Sequence, residues 1–221
     1  MKKLLLAALL PIGACEGPTV PPNTPADIYD FRLATTPPSV LRWPSGTRVR
    51  VHVAGAAGER HDLLSSAFTS GAAEWNRHAL YGEYELVRSA GVADADVVLR
   101  WSDEPSPVDM STCPPDLAIA VTTFCLDAED AARLHRFPPV GPDSAAGNVR
   151  FVTTILGTQA GHPMTVERLV VHELGHTLGV ARHSLDVQDL MTAGIPTRST
   201  LSARDIATVQ ILYHTRPQIT P

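Results

Sequence analysis

Apolar and polar residues alternate with period two over Val49-Arg50-Val51-His52-Val53, which predicts a strand with one face in a core. Gly55 and Gly58 break that pattern, and the period then lengthens. Leu64, Phe68, Ala72, Trp75 and Ala79 recur at helical spacing, predicting a helix over 59–79 whose apolar stripe lies on a sheet. Tyr84–Val87 and Ala95–Trp101 predict the next two strands, and the wholly apolar centre of the second calls for an interior position. Leu117–Thr123 and Asn148–Thr154 predict two more, separated by a segment with proline and glycine and a short helical turn around 129–135. A helix then starts near Thr165, its N-cap, with Glu167 favourable to the helix dipole, and ends at Gly179 in a left-handed conformation. The last helix opens at Ser202-Ala203-Arg204-Asp205, a capping box, with Ile206, Val209 and Tyr213 facing inward. Five strands and three helices make an α/β chain with no internal repeat and no second domain.

The chain ahead of the first strand has a different composition. Met1-Lys2-Lys3 is a basic start, Leu4–Leu10 an apolar run too short to span a bilayer, and Ile12-Gly13-Ala14-Cys15 a small-residue cleavage site. Residues 1–15 therefore read as an export signal, and a cysteine directly after Gly-Ala resembles the acylation site of bacterial lipoproteins, with Cys15 as the lipidated residue. Residues 16–44 are proline-rich and read as an extended, poorly packed tether, which leaves 45–216 as the folded domain. This organisation implies a bacterial cell-envelope location, periplasmic or surface, on a lipid anchor. Lys2 and Lys3 are the only lysines, so the chain without its signal carries 16 arginines against 23 acidic residues, a net charge of −7 that excludes a nucleic-acid partner. With Cys15 acylated, Cys113 and Cys125 form an even pair in an oxidising compartment, where a disulfide is the default.

The densest chemistry lies at His172-Glu173-Leu174-Gly175-His176. Two imidazoles four residues apart share one helical face and can reach one zinc ion at about 2.0–2.1 Å each. The carboxylate between them is rotated off the metal and can meet its bound water, whose pKa zinc lowers to about 7. Glu173 is the last glutamate of the chain, so a site completed by a later glutamate is excluded. The remaining third ligands are His183, with Asp186 and Asp189 as weaker candidates and His214 remote in the last helix. Gly179 lets the chain turn sharply enough for His183 to return.

His172-Glu173-x-x-His176-x-x-Gly179, followed by a histidine and Met191, resembles the metzincin clan of zinc peptidases and, within it, the matrixins. Leu174-Gly175-His176-Thr177-Leu178-Gly179, His183-Ser184, Asp189-Leu190-Met191 and Leu201-Ser202-x-x-Asp205-Ile206 are all similar to that family. The resemblance implies a twisted five-stranded mixed sheet, a zinc cleft below its edge strand, and a small C-terminal lobe ending in one helix. It implies a monomeric zinc endopeptidase in which His172, His176 and His183 hold one catalytic zinc and Glu173 is the general base. Met191 is then the hydrophobic floor, Asp205 a support of the Met-turn as well as a helix cap, and Ala193–Thr197 a pocket for the residue after the scissile bond.

Three departures stand out. The third histidine of metzincins usually follows the glycine by three residues, but that position is Arg182 here, which remains protonated and cannot ligate zinc. Arg204 stands where matrixins usually carry an acid that pairs with a processed N-terminus, so that activation is not expected. No convincing ligands for a structural calcium or a second zinc occur between Asp103 and Thr154. Two other readings of the chain remain: a zinc-bearing surface lipoprotein that binds a partner without turnover, and a zinc amidase acting on cell-wall peptides.

Overall fold

The computed structural model describes residues 28–33, 37–55, 57–102, 120–123, 151–156 and 162–221. The export signal, Cys15, Cys113, Cys125 and the turn expected around 129–135 lie outside the described residues. Among those described, the alternation of β1 (Thr47–Val53) sends Val49, Val51 and Val53 into the core and leaves Arg48, Arg50 and His52 more exposed. Helix α1 (Glu59–Asn76) follows and buries Leu64, Phe68, Ala72 and Trp75. It stops short of Ala79 because the Asn76 side chain leaves the helix pattern to pair with the backbone of Leu86, donating to its carbonyl and accepting from its N–H.

Strands β2 (Tyr84–Arg88), β3 (Val97–Ser102), β4 (Ala120–Thr123) and β5 (Phe151–Leu156) complete one mixed sheet in the order β2-β1-β3-β5-β4. β1 runs parallel to β2 and β3, and β3 runs parallel to β5, while β4 pairs antiparallel with β5 at the sheet edge. β3 is interior, as its apolar centre requires, and Val97 and Leu99 are fully buried.

Helix α2 (Pro163–Thr177) packs against α1 and the β4–β5 side of the sheet. It begins two residues before the expected Thr165, because Pro163 has its φ already set for the first helical position and the His162 ring accepts from the Met164 N–H at 3.2 Å. Gly71 of α1 allows a close crossing, since a Cβ there would stand 2.9 Å from a Leu174 methyl. Trp75 ties the two helices polar-to-polar as well, donating from Nε1 to the Val171 carbonyl at 2.8 Å. Helix α3 (Ala203–His214) carries the expected capping box: the Ser202 hydroxyl accepts from the Asp205 N–H, and the Asp205 carboxylate accepts from the Ser202 N–H.

One expectation is corrected. The prolines of residues 16–44 read as a poorly packed tether, yet from residue 28 the described part of that segment belongs to the core. Tyr29, Phe31, Leu33, Val40, Leu41 and Trp43 are all buried. Leu41 pairs with Ile219 as a parallel bridge, and the Trp43 indole donates to the Thr177 carbonyl at 2.7 Å. The prolines set an extended path, and the large apolar residues between them bury enough surface to hold that path against the domain.

Candidate metal centre

The last turns of α2 place His172 and His176 on one face, and the chain then reverses at Gly179, whose φ is +106°. A Cβ at Gly179 would lie 2.1 Å from the Leu41 carbonyl oxygen, so both the turn and the close passage of the N-terminal segment require glycine. The reversal returns His183 to the helix. Ring centroids of the three histidines are separated by 4.9, 5.2 and 5.0 Å, nearly an equilateral triangle.

Chemistry of the donors fits a metal. One ring nitrogen from each histidine lies within 4.8 Å of the others, and the Nε2 atoms of His176 and His183 are 3.2 Å apart. Two nitrogens on a tetrahedral zinc with bonds of about 2.0–2.1 Å stand about 3.3 Å apart. The His172 Nδ1–H donates to the Leu190 carbonyl at 2.7 Å and the His176 Nδ1–H donates to the Val180 carbonyl at 2.6 Å. Because a carbonyl can only accept, both rings are held with Nε2 unprotonated and its lone pair turned to the site. Burial disfavours the charged imidazolium in all three, most deeply in His172, and carries His183 down to about 4. Neutral imidazole is the form that ligates.

Glu173 points from the same helix toward β4. Its carboxylate is buried, and Oε2 accepts from the Thr122 hydroxyl at 2.6 Å. Burial raises its pKa to about 7, with the Thr122 hydrogen bond acting in the opposite sense. Thr122 also shares a hydrogen bond with the Thr153 hydroxyl at 2.9 Å, which ties the carboxylate to two strands.

The support behind the histidines comes from one loop and one helix cap. Met191 is fully buried against Gly175, where an added Cβ would stand 2.5 Å from its sulfur and 2.7 Å from the Trp75 ring. Asp205, also fully buried, accepts from the N–H groups of Leu190 at 2.8 Å, Met191 at 3.3 Å and Ser202 at 2.8 Å, and from the Tyr29 hydroxyl at 2.9 Å. It both caps α3 and holds the Leu190-Met191 turn. Asp189 is engaged by the Ser184 and Ser202 hydroxyls, Asp186 accepts from the Gln188 N–H, and His214 bonds within α3, so none of these three joins the histidine cluster.

A sequence model of the matrixin family matches residues 120–214, which include Glu173 and all three histidines. Over this stretch the chain is matrixin-like. No curated protein matches the sequence significantly. Among solved structures, a crystal structure of myroilysin aligns at TM-score 0.46 and 15% identity, covering 86% of this chain and 96% of that one. Another structure of myroilysin aligns at TM-score 0.43 and 13% identity, covering 79% and 83%.

Within the matrixin-like region Arg182 is exposed and turned from the histidines, donating instead to the Arg32 carbonyl at 3.0 Å. Arg204, in the place of the family's usual acid, reaches the Ser184 hydroxyl at 3.2 Å and the carboxylates of Asp186 and Asp189 at 3.5 and 3.4 Å. Beside the His183-Ser184 pair lies a pocket of about 410 Å³, lined by Leu185, Val187, Ala193, Ile195 and Thr197 among others and, among the described residues, bearing no charged side chain. Leu185 is 99% exposed at its wall. Thr122 and Tyr29 were not legible as site residues. Each touches the site across more than fifty or a hundred positions of sequence, and neither lies in a motif.

Proposed function

We propose that this chain is a zinc-dependent endopeptidase in which His172, His176 and His183 hold one catalytic zinc and Glu173 is the general base. The observation that carries the reading is the convergence of three neutral imidazoles beside a buried carboxylate. When bound, zinc would supply a Lewis acid for the peptide carbonyl and an acidified water. The Thr122 hydrogen bond occupies one side of the Glu173 carboxylate, which leaves its other oxygen to take a proton. A pKa near 7 suits that role, because the group can accept a proton and give it back near neutral pH.

Substrate would be a peptide or protein in extended form, added as a strand at the β4 end of the sheet, the outermost described strand on that side. The pocket beside the His183-Ser184 pair would take the side chain after the scissile bond, and its apolar lining favours a bulky aliphatic or aromatic residue. Export, acylation of Cys15 and anchoring to a bacterial envelope membrane complete the proposal. Among the described residues no helix is long and apolar enough to cross a membrane.

The test uses purified protein incubated with casein and, separately, with peptidoglycan. Wild type should cleave casein, and Glu173→Ala should keep one equivalent of zinc while losing cleavage at least about a hundredfold. His183→Ala should lose the metal. Casein cleavage by Glu173→Ala at the wild-type rate would sink the mechanism, while release of cell-wall peptides with casein untouched would make the enzyme an amidase. Zinc binding with neither activity would leave a partner-binding scaffold.

A further inference from the structure

The third histidine follows Gly179 by four residues rather than the three usual in metzincins, so the loop that returns it carries one extra residue of slack. Arg182 shows where that slack goes. Its guanidinium donates from Nε to the Arg32 carbonyl at 3.0 Å and stands 3.5 Å from the Asp30 carboxylate, while the neighbouring Ala181 N–H donates to the Phe31 carbonyl at 3.0 Å. Residues 30–32 therefore grip the loop at two consecutive positions. That loop supplies His183 directly, and its Val180 carbonyl orients the ring of His176.

The same segment reaches the third ring by another route. Tyr29 donates its hydroxyl to Asp205 Oδ1 at 2.9 Å, and its own N–H donates to the Thr208 hydroxyl at 3.3 Å. Asp205 holds the N–H of Leu190, whose carbonyl accepts from His172. Tyr29 is buried, and burial followed by the adjacent Asp205 charge raises its phenol well above the ordinary value, so it stays a neutral donor. Among the described residues, the only other donor to Asp205 Oδ1 is the Met191 N–H, at a long 3.3 Å. His183 thus follows directly on a residue held by 30–32, His176 is linked to Phe31 through Val180 and Ala181, and His172 is linked to Tyr29 through Leu190 and Asp205.

We propose that residues 28–33 form a strap that positions all three histidines, with Tyr29 and Arg182 as the positioning residues, so that metal affinity depends on a segment lying before the first strand. This rests on the metal-site reading above. Partners that fix ligand orientation typically change metal affinity about 10- to 100-fold when removed. A strap acting through one or two intermediate residues belongs at the lower end of that range.

The experiment measures zinc affinity of the full-length protein by competition with a chromophoric chelator. The visible spectrum of the cobalt-substituted protein, which reports ligand geometry, and melting of the metal-free protein are recorded in parallel. Tyr29→Phe and Arg182→Gln should each weaken zinc about tenfold and alter the cobalt bands. Arg182→Lys, which keeps a donor, should recover most of the affinity. Arg48→Gln, which breaks an exposed ion pair with Glu85 between β1 and β2, should change neither. Native zinc affinity and an unchanged cobalt spectrum in both strap variants would overturn the proposal, whatever happens to melting, and leave 28–33 as packing alone. Failure of the wild type itself to bind zinc would overturn the metal-site reading and the strap together.

Discussion

Glu173 is a carboxyl that the fold has stripped of water, and its raised pKa makes a stability prediction for the metal-free protein. Its folded pKa of about 7 lies above its ordinary 4.5, so between those values the folded state holds a proton that the unfolded chain releases. Glu173 therefore destabilises the fold progressively as pH rises from 4.5 through about 7. Glu173→Gln should melt higher than wild type at pH 8, with the difference vanishing toward pH 4.5, as calorimetry of chelator-treated protein would show. The histidines act in the opposite sense: their lowered pKa values mean that stability falls in both proteins on acidification below about 6.5. A second prediction concerns Gly175, where a methyl would collide with the Met191 sulfur at 2.5 Å and with the buried Trp75 ring at 2.7 Å. Gly175→Ala should lower stability by about 1–3 kcal/mol in denaturant titration, despite its better helix propensity. At this scale the sequence was most legible where helix geometry alone does the work: four-residue spacing puts His172 and His176 side by side whatever surrounds them. It was silent on Gly175, because what fills the space above a helical glycine comes from elsewhere in the chain.

Elements were legible in proportion to the strength of their period. β1 and α1 were readable because one face of each is buried and the other is not, whereas α2 is buried on most sides and its start was set by Pro163 and His162 rather than by an apolar period. β4 shows what an element adds beyond its own residues. As an edge strand antiparallel to β5 it brings the Thr122 hydroxyl to Glu173, fifty-one residues away in sequence. That bond holds the carboxylate's pKa down against burial, so Thr122→Val should raise it further. Loss of a hydrogen bond to a charged group is worth about 1.5–3 kcal/mol, which predicts a kcat lower by about tenfold or more near pH 7. The acid limb of the pH–rate profile should move upward, and Thr122→Ser should restore both.

For the molecule as a whole, the domain begins earlier than composition indicated. Six large apolar side chains lie buried between residues 29 and 43. Each contributes about 1.5–3 kcal/mol, a sum comparable with the roughly 5–15 kcal/mol that holds a domain together. A protein starting at residue 45 should accordingly be unfolded or molten by near-UV circular dichroism, whereas one starting at residue 28 should melt cooperatively. Prolines made this segment look like a tether because composition reports how a chain prefers to bend, not what it finds to pack against. The sequence by itself determined the alternation that makes the strands, the helical pair His172 and His176, the glycine at which α2 must end, and the likeness to matrixins. Those are local matters, settled by spacing of a few residues and by the φ that only glycine adopts freely. Tertiary structure alone decided that His183 closes the triangle, that Thr122 and Tyr29 reach the site, and that residues 28–33 belong to the domain. Each of these joins positions dozens to more than a hundred residues apart, and no period in the chain encodes which distant surfaces will bury one another.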